Sequence, residues 1–322
     1  METLIFHRGK LCAKPEDKVY GILGVLSTHE RKQFQVDYKL SPREVFLKVT
    51  RYLLENTQRL DFLGSTAPQE PNIHRVPSWV PDWEYRAEVS PLALSNSFRP
   101  KFAAAGTTKA KASISEDGEV LKLEGVYIDS IKNLGIPLPS TTSEPAEVLT
   151  FLEWYSILVR YQKDTRPKDH EDFCRAILLD SNREGWTPID RMEWTYRTFA
   201  SLSREFSGQT IDDQMTSYAD SFREHMRAQR TEIFQSSIPG AIRGRRYMIS
   251  QTGLQGIAPA DCDFEDIICV PLGSATPMVL RKGDESKHYT FIGECYINSY
   301  MYGKAITEVN TGIRRLETFE IR

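Results

Sequence analysis

GRRYMISQTGLQGIAPADCDFEDIICVPLGSATPMVLRK (244–282), followed closely by HYTFIGECYI (288–297), decides the fold. Five short apolar segments stand out in it: GRRYMIS, TGLQGIAP, DIICVPLG, TPMVLRK and HYTFIGECYI. Gly or Pro punctuates them at the spacing of roughly 8–12 residues that marks short strands joined by tight turns. The stretch 240–298 therefore predicts a small antiparallel barrel or sheet. Strand alternation puts Glu294 and Tyr296 on one face of the last segment and Cys295 on the other. Upstream, KASISEDGEVLKLEGVYIDSI (111–131) reads as a hairpin turning at Asp117–Gly118. Its long second arm carries Val120, Leu121, Leu123, Val126 and Ile128 and belongs to a sheet completed elsewhere. Downstream, GIRRLETFEIR (312–322) predicts an edge strand.

The remainder has helical periodicity. SPREVFLKVTRYLLEN (41–56) is the clearest case: Ser41 is the N-cap, Pro42 the first helical residue and Glu44 the capping-box partner. KPEDKVYGILGVL (14–26) reads as another helix start. Beyond a Pro/Ser/Thr-rich linker at 134–146, helices are predicted over 145–163, 168–181, 188–206 and 210–236. The fold class is thus α+β, a helical layer plus a small antiparallel barrel or sheet built from 111–131 and 240–298. Three parts follow, 1–135, 136–238 and 239–322, expected to form one compact unit.

Hydrophobic residues make up 40% and charged residues 26% of the 322, as in soluble globular chains. The net charge of -3 gives no electrostatic case for nucleic acid. No apolar run approaches the roughly 18 residues of a membrane span, and METLIFHRGK has no signal-peptide core. Five scattered cysteines without a CxxC read as reduced thiols in a cytoplasmic protein. Neither a metal nor another cofactor is expected: Cys and His do not cluster, and no glycine pattern makes a phosphate or dinucleotide loop.

Four ordered motifs carry a resemblance. DKVYGILG (17–24) matches a D-K-(V/I)-Y-(A/G)-L-L-G pattern, and VPSWVPDW (76–83) matches L-P-S-W-(V/A)-P-D-W. GRRY with TGLQG and the strands after it, and GECYINSYMYGKA (293–305), match two more. From about residue 12 to its end the chain resembles the region that follows the effector domain in fungal heterokaryon-incompatibility (HET-domain) proteins. Where that family often has Asp before the second glycine of the last motif, this chain has Tyr302. The resemblance implies a chain without the N-terminal HET effector domain, so incompatibility triggered by that route is not expected of it.

No sequence motif names a reaction. Trp79, Asp82 and Trp83 read either as an aromatic pocket wall or as a proline-fixed plug whose aspartate caps a turn. His74 stands beside them. Arg245, Arg246 and Tyr247 are candidate hydrogen-bond donors to an activating oxygen, and Glu294 is either a general acid or the ion-pair partner of an arginine on the GRRY strand. Tyr296, Tyr300 and Tyr302 would shape a greasy site. Together these residues suggest a cofactor-free cyclase or pericyclase of fungal specialised metabolism acting on a small apolar terpenoid or polyketide by preorganisation. The alternative is a non-catalytic recognition or regulatory module of an incompatibility system, with a protein partner. A deep apolar hollow lined by VPSWVPDW and NSYMY would favour the first; exposed apolar surface would favour the second.

Overall fold

A computed structural model of the protein describes residues 1–66, 72–85, 89–93, 102–140, 144–161, 167–180, 240–283 and 287–322, apart from the side chains of 144–148 and 167. The expected helices at 188–206 and 210–236 lie outside the described residues.

The organising strand is β2 (Leu121–Leu134), which pairs with four others along its length. β1 (Ala112–Ile114) forms the hairpin with it, and Gly118 takes a positive φ of 74° in the turn, as the Asp-Gly reading requires. A ring then runs β2, β5 (Ile267–Pro271), β6 (Met278–Lys282), β7 (Tyr289–Glu294), β9 (Leu316–Ile321) and back to β2. β3 (Arg245–Ser250), β4 (Gln255–Pro259) and β8 (Tyr296–Ile297) extend from the far end of β2 as a wing. The fold is α+β with a barrel-like mixed sheet.

Two strand expectations need correction. GIRRLETFEIR does not supply an edge: β9 lies between β2 and β7, and its parallel contact with β7 closes the ring. HYTFIGECYI is not one strand but two, for β7 pairs with β6 whereas β8 pairs with β4. Cys295 sits at the break, its N–H donating to Pro277 O, so the chain leaves the ring for the wing between Glu294 and Tyr296.

Side-chain alternation sorts the core. Leu123, Cys269, Leu280, Phe291 and Phe319, one from each ring strand, share a cluster, as side chains on the inner side of a closed ring do. Their neighbours Val126, Ile268, Val279 and Ile292 enter a second cluster with Met248 and Ala258 of the wing. On β2 the parity changes at an irregularity between Tyr127 and Asp129. That bulge brings Ile131 into the same cluster as Val126 and Ile128.

Asp129 anchors the bulge. It accepts from the N–H groups of Ser130 (2.9 Å) and Thr252 (3.0 Å) and from the Thr252 hydroxyl. Burial works to raise its pKa, but bonds from Ser250, Thr252 and the backbone outweigh that and hold it below the ordinary aspartate value. A lowered folded pKa gives stability above the unfolded value near 4 that fades as pH falls through the folded one. Asp129→Ala is expected to cost about 1–3 kcal/mol in neutral urea melts. The deficit should shrink below about pH 4; a pH-independent deficit would rule out this carboxylate's ionisation as the cause.

Seven α-helices are described. α1 (Glu2–His7), α2 (Asp17–Tyr20), α3 (Thr28–Gln33) and α4 (Pro42–Thr57) come first, then α5 (Glu144–Tyr161), α6 (Pro167–Leu178) and α7 (Lys304–Asn310). α4 has the expected capping box, with Ser41 N–H donating to Glu44 Oε2 at 2.7 Å, and its buried face (Val45, Phe46, Val49, Leu53) joins the ring's inner cluster. α5 and α6 cover the wing through Leu158, Phe173, Tyr247 and Ile257.

Candidate functional site

An ion pair holds the centre of the molecule. Arg245 opens β3 and Glu294 ends β7; both are almost fully buried, and their side chains meet at 3.0 Å. The guanidinium also donates to Ala241 O (3.0 Å), Glu294 O (2.6 Å) and Ser90 O (3.3 Å). The carboxylate accepts from Thr276 Oγ1 (3.1 Å), the Ala93 N–H (3.3 Å) and the Leu92 N–H. Burial is the dominant influence on both, drawing Arg245 down and pushing Glu294 up, while each opposes the other's shift. The ion-pair reading of Glu294 is the one present. Six protein groups occupy the pair, which ties the 90–93 loop, the start of the wing and the end of the ring together.

The remaining candidates take no part in it and form no single site, although Tyr247 and Tyr296 share one cluster and Phe102 lies against both Tyr296 and Tyr302. Arg246 donates to the carbonyls of Gly135 (2.6 Å), Ala260 (3.2 Å) and Cys262 (3.3 Å). Tyr247 is buried between Trp154 and Phe173, and its hydroxyl donates to Gln255 Oε1 at 2.7 Å; burial first, then Asp172 and Asp169, push its pKa well above the ordinary value. Tyr296 lies in the wing's cluster and donates to Asp180 Oδ2 at 2.8 Å. Tyr300 is buried in the second cluster against Glu308 and Arg314. Tyr302 is 51% exposed, its ring centroid 6.0 Å from that of Phe102.

VPSWVPDW is a packed plug. Trp79 and Trp83 are 0% and 1% exposed and lie in the ring's inner cluster, with Trp79 Nε1 donating to Glu119 O at 3.2 Å. Asp82 Oδ1 accepts from the N–H groups of Glu84 and Tyr85 and closes a turn. His74 meets Glu84 through Nε2 and Phe46 edge-on.

A cleft of about 420 Å³ opens over the ion pair, bordered by Thr66, Tyr85, Pro139, Asp261 and Gly293. None of the candidate aromatics lines it. Among the described residues the expected dry, aromatic hollow enclosed by VPSWVPDW and NSYMY is not seen: Trp79 and Trp83 pack in one cluster, Tyr296 in a second and Tyr300 in a third, and Tyr302 lies at the surface. The sequence offered no route to the cleft's rim, because Thr66, Tyr85 and Pro139 belong to separate loops.

None of the five cysteines is in a disulfide, and Cys12 alone is exposed. Burial raises the thiol of Cys262 to about 12 against the pull of Arg246, and pushes those of Cys269 and Cys295 above the ordinary value as well. A thiol-exchange reagent is expected to titrate one group in the folded protein and five after unfolding. Rapid native reaction of a second thiol would contradict the packing around Cys174, Cys262, Cys269 or Cys295.

Among the described residues no group of His, Cys, Asp and Glu could hold a metal, and no helix is long and apolar enough to cross a membrane. Residues 186–312 match the Het-6 beta-barrel domain family. The ring strands β2 and β9 lie outside that match. The chain is also 22% identical over 335 residues to heterokaryon incompatibility protein 6, OR allele, of Neurospora crassa, a similarity covering 89% of this chain and 48% of that protein. The chain thus spans about half the length of the curated relative it matches. No solved structure matches. These relationships overturn the cyclase expectation: the similarity leads to an incompatibility protein and not to a specialised-metabolism enzyme.

Proposed function

We infer that this chain, a relative of fungal heterokaryon-incompatibility proteins corresponding to their C-terminal region, is a non-catalytic recognition or regulatory module of an incompatibility system, acting through a protein partner. The observation that carries this reading is the similarity to heterokaryon incompatibility protein 6 along most of the chain. The site chemistry agrees with it, because Arg245 and Glu294 spend their hydrogen bonds on each other, on backbone and on the Thr276 hydroxyl.

Exposed apolar side chains offer contact surface. Phe6, Leu11, Val25 and Val36 are each more than half exposed within the N-terminal 36 residues. Side chains of this kind gain most from meeting a partner. The chain should alter the viability of fused cells when expressed in Neurospora crassa strains of differing incompatibility type. Phe6→Asp with Leu11→Asp should abolish that effect while leaving the thermal melt within a few degrees of wild type. Unchanged fusion outcomes with the wild-type chain in every pairing would refute the reading.

A further inference from the structure

The sheet forks between ring and wing. β7 stays paired with β6 as far as Glu294, whereas β8, which begins at Tyr296, pairs with β4. The cleft of about 420 Å³ is bordered by both branches, by Ile292 and Gly293 of β7 and by Pro259 at the end of β4. Its size is that of a small-ligand site, and such sites form preferentially where two packed units meet. Arg245 and Glu294 border it too, but they have little left for a ligand. Four acceptors take the guanidinium and four donors take the carboxylate.

The groups left free around the cleft are of one kind. Asp261 is exposed on its border, and the carboxylate has no hydrogen-bond or ion-pair partner among the described residues. The neighbouring cations are engaged elsewhere. Arg246 donates to the carbonyls of Gly135, Ala260 and Cys262, and Arg281 donates to Asp266 Oδ2 and Asp261 O, both at 2.8 Å. Leu138 turns both its N–H and its carbonyl to the start of β3, at 2.7 Å from Arg245 O and 2.8 Å from Gly244 N. Alternation puts the carbonyls of Pro137 and Pro139 on the opposite edge, and proline has no N–H, so these two bordering residues offer acceptors only. The hydroxyls of Tyr85 and Ser140, also on the border, make no hydrogen bond to protein among the described residues. An anion would therefore find two hydroxyls and no free cation, whereas a charged donor finds a carboxylate and several acceptors. The half-exposed Tyr85 ring adds a face for a cation, and Val89, Pro259 and Ile292 add apolar wall. We propose that this cleft binds an organic cation, an ammonium or guanidinium group on a slim apolar stem, with Asp261 as its counter-ion. A free amine and the lysine or arginine side chain of a protein partner carry the same group. The assignment does not rest on the recognition role proposed above: small probes read the cleft directly, whereas the fate of fused cells reads the role.

The probes are N-acetylargininamide, cadaverine and N-acetylcitrullinamide, the uncharged isostere of the first, each titrated into the full chain by calorimetry at fixed ionic strength. Wild type is expected to give saturable heat with a cationic probe and to bind the citrulline derivative roughly tenfold more weakly, the loss of one charge-assisted contact. Asp261→Asn should weaken the cation by a similar factor. Its thermal melt should stay within a few degrees of wild type, because the side chain is exposed and bonds to no described protein group. Tyr85→Leu should weaken binding by about threefold. Binding of N-acetylargininamide without cadaverine identifies a site for the side chain of a protein partner; binding of cadaverine identifies a site open to free amines. No saturable heat with either cation overturns the proposal, as does equal affinity for the citrulline derivative or unchanged affinity in Asp261→Asn. Glu265→Gln removes a nearby exposed carboxylate outside the cleft's border. A loss there equal to that of Asp261→Asn would mean general attraction to the charge of the loop, and would overturn the site as well.

Discussion

Arg245→Ala is expected to destabilise the protein by about 3–5 kcal/mol in urea melts, because it leaves the Glu294 carboxylate buried without its cation. Against a total stability of about 5–15 kcal/mol, that loss should lower soluble yield visibly. The variant also frees the carbonyls of Ala241, Ser90 and Glu294 from their donor. Replacing both partners, Arg245→Met with Glu294→Met, should cost less than Arg245→Ala alone, because no uncompensated charge then stays buried. A double variant as unstable as the single one would mean that Arg245 matters for its bonds to backbone and not for its charge. Gly64 gives an independent check on this centre. A Cβ there would come within 2.7 Å of Glu294 Oε2, so Gly64→Ala should push the carboxylate off its donors and destabilise in the same direction.

Trp79→Ala should rank with it, at about 3–5 kcal/mol in the same melts. The indole is fully buried among Phe46, Leu123 and Phe319, so truncation opens a cavity where α4 meets the ring. It also leaves Glu119 O without the indole N–H. Trp79→Phe keeps most of the apolar contact and loses that bond, so it should cost clearly less. Equal losses in the two variants would show that the hydrogen bond outweighs the packing. Trp79→Ala with near wild-type stability would show that the plug is dispensable.

These two residues show how far local sequence reached. Prolines at 77 and 81 restrict the backbone on both sides of Trp79, which was enough to exclude helix and central strand. Nothing local says whether a tryptophan so held looks into a cavity or into a core, and here it fills the core. The same limit applies to Tyr296, Tyr300 and Tyr302. They are close in sequence, yet Tyr296 lies in one cluster, Tyr300 in another and Tyr302 at the surface, because β8 ends at Ile297 and the chain turns before α7.

The Glu294–Arg245 pair was legible for a simple reason: a carboxylate on a buried strand needs a cation, and the GRRY strand offered one. The burial of Arg8 was not legible. The residue follows a one-turn amphipathic stretch in a charged N-terminus, and its burial depends on the loops carrying Ser65 and Asp82 folding over it.

The amino-acid sequence by itself determined the β segments of 244–297, the Asp117–Gly118 hairpin, the capped α4 helix and the kinship with incompatibility proteins. Each of these is written in residues that are neighbours along the chain, through turn conformation, alternation or capping bonds. Only the tertiary structure decided that β9 closes the ring, that β7 and β8 divide between ring and wing, and that Trp79, Tyr296 and Tyr300 fill three separate cores while Tyr302 stays at the surface. Ring closure and side-chain destination are set by pairings between residues up to about two hundred positions apart, such as Leu121 with Ile321, and local conformational preference carries no information about partners at that distance.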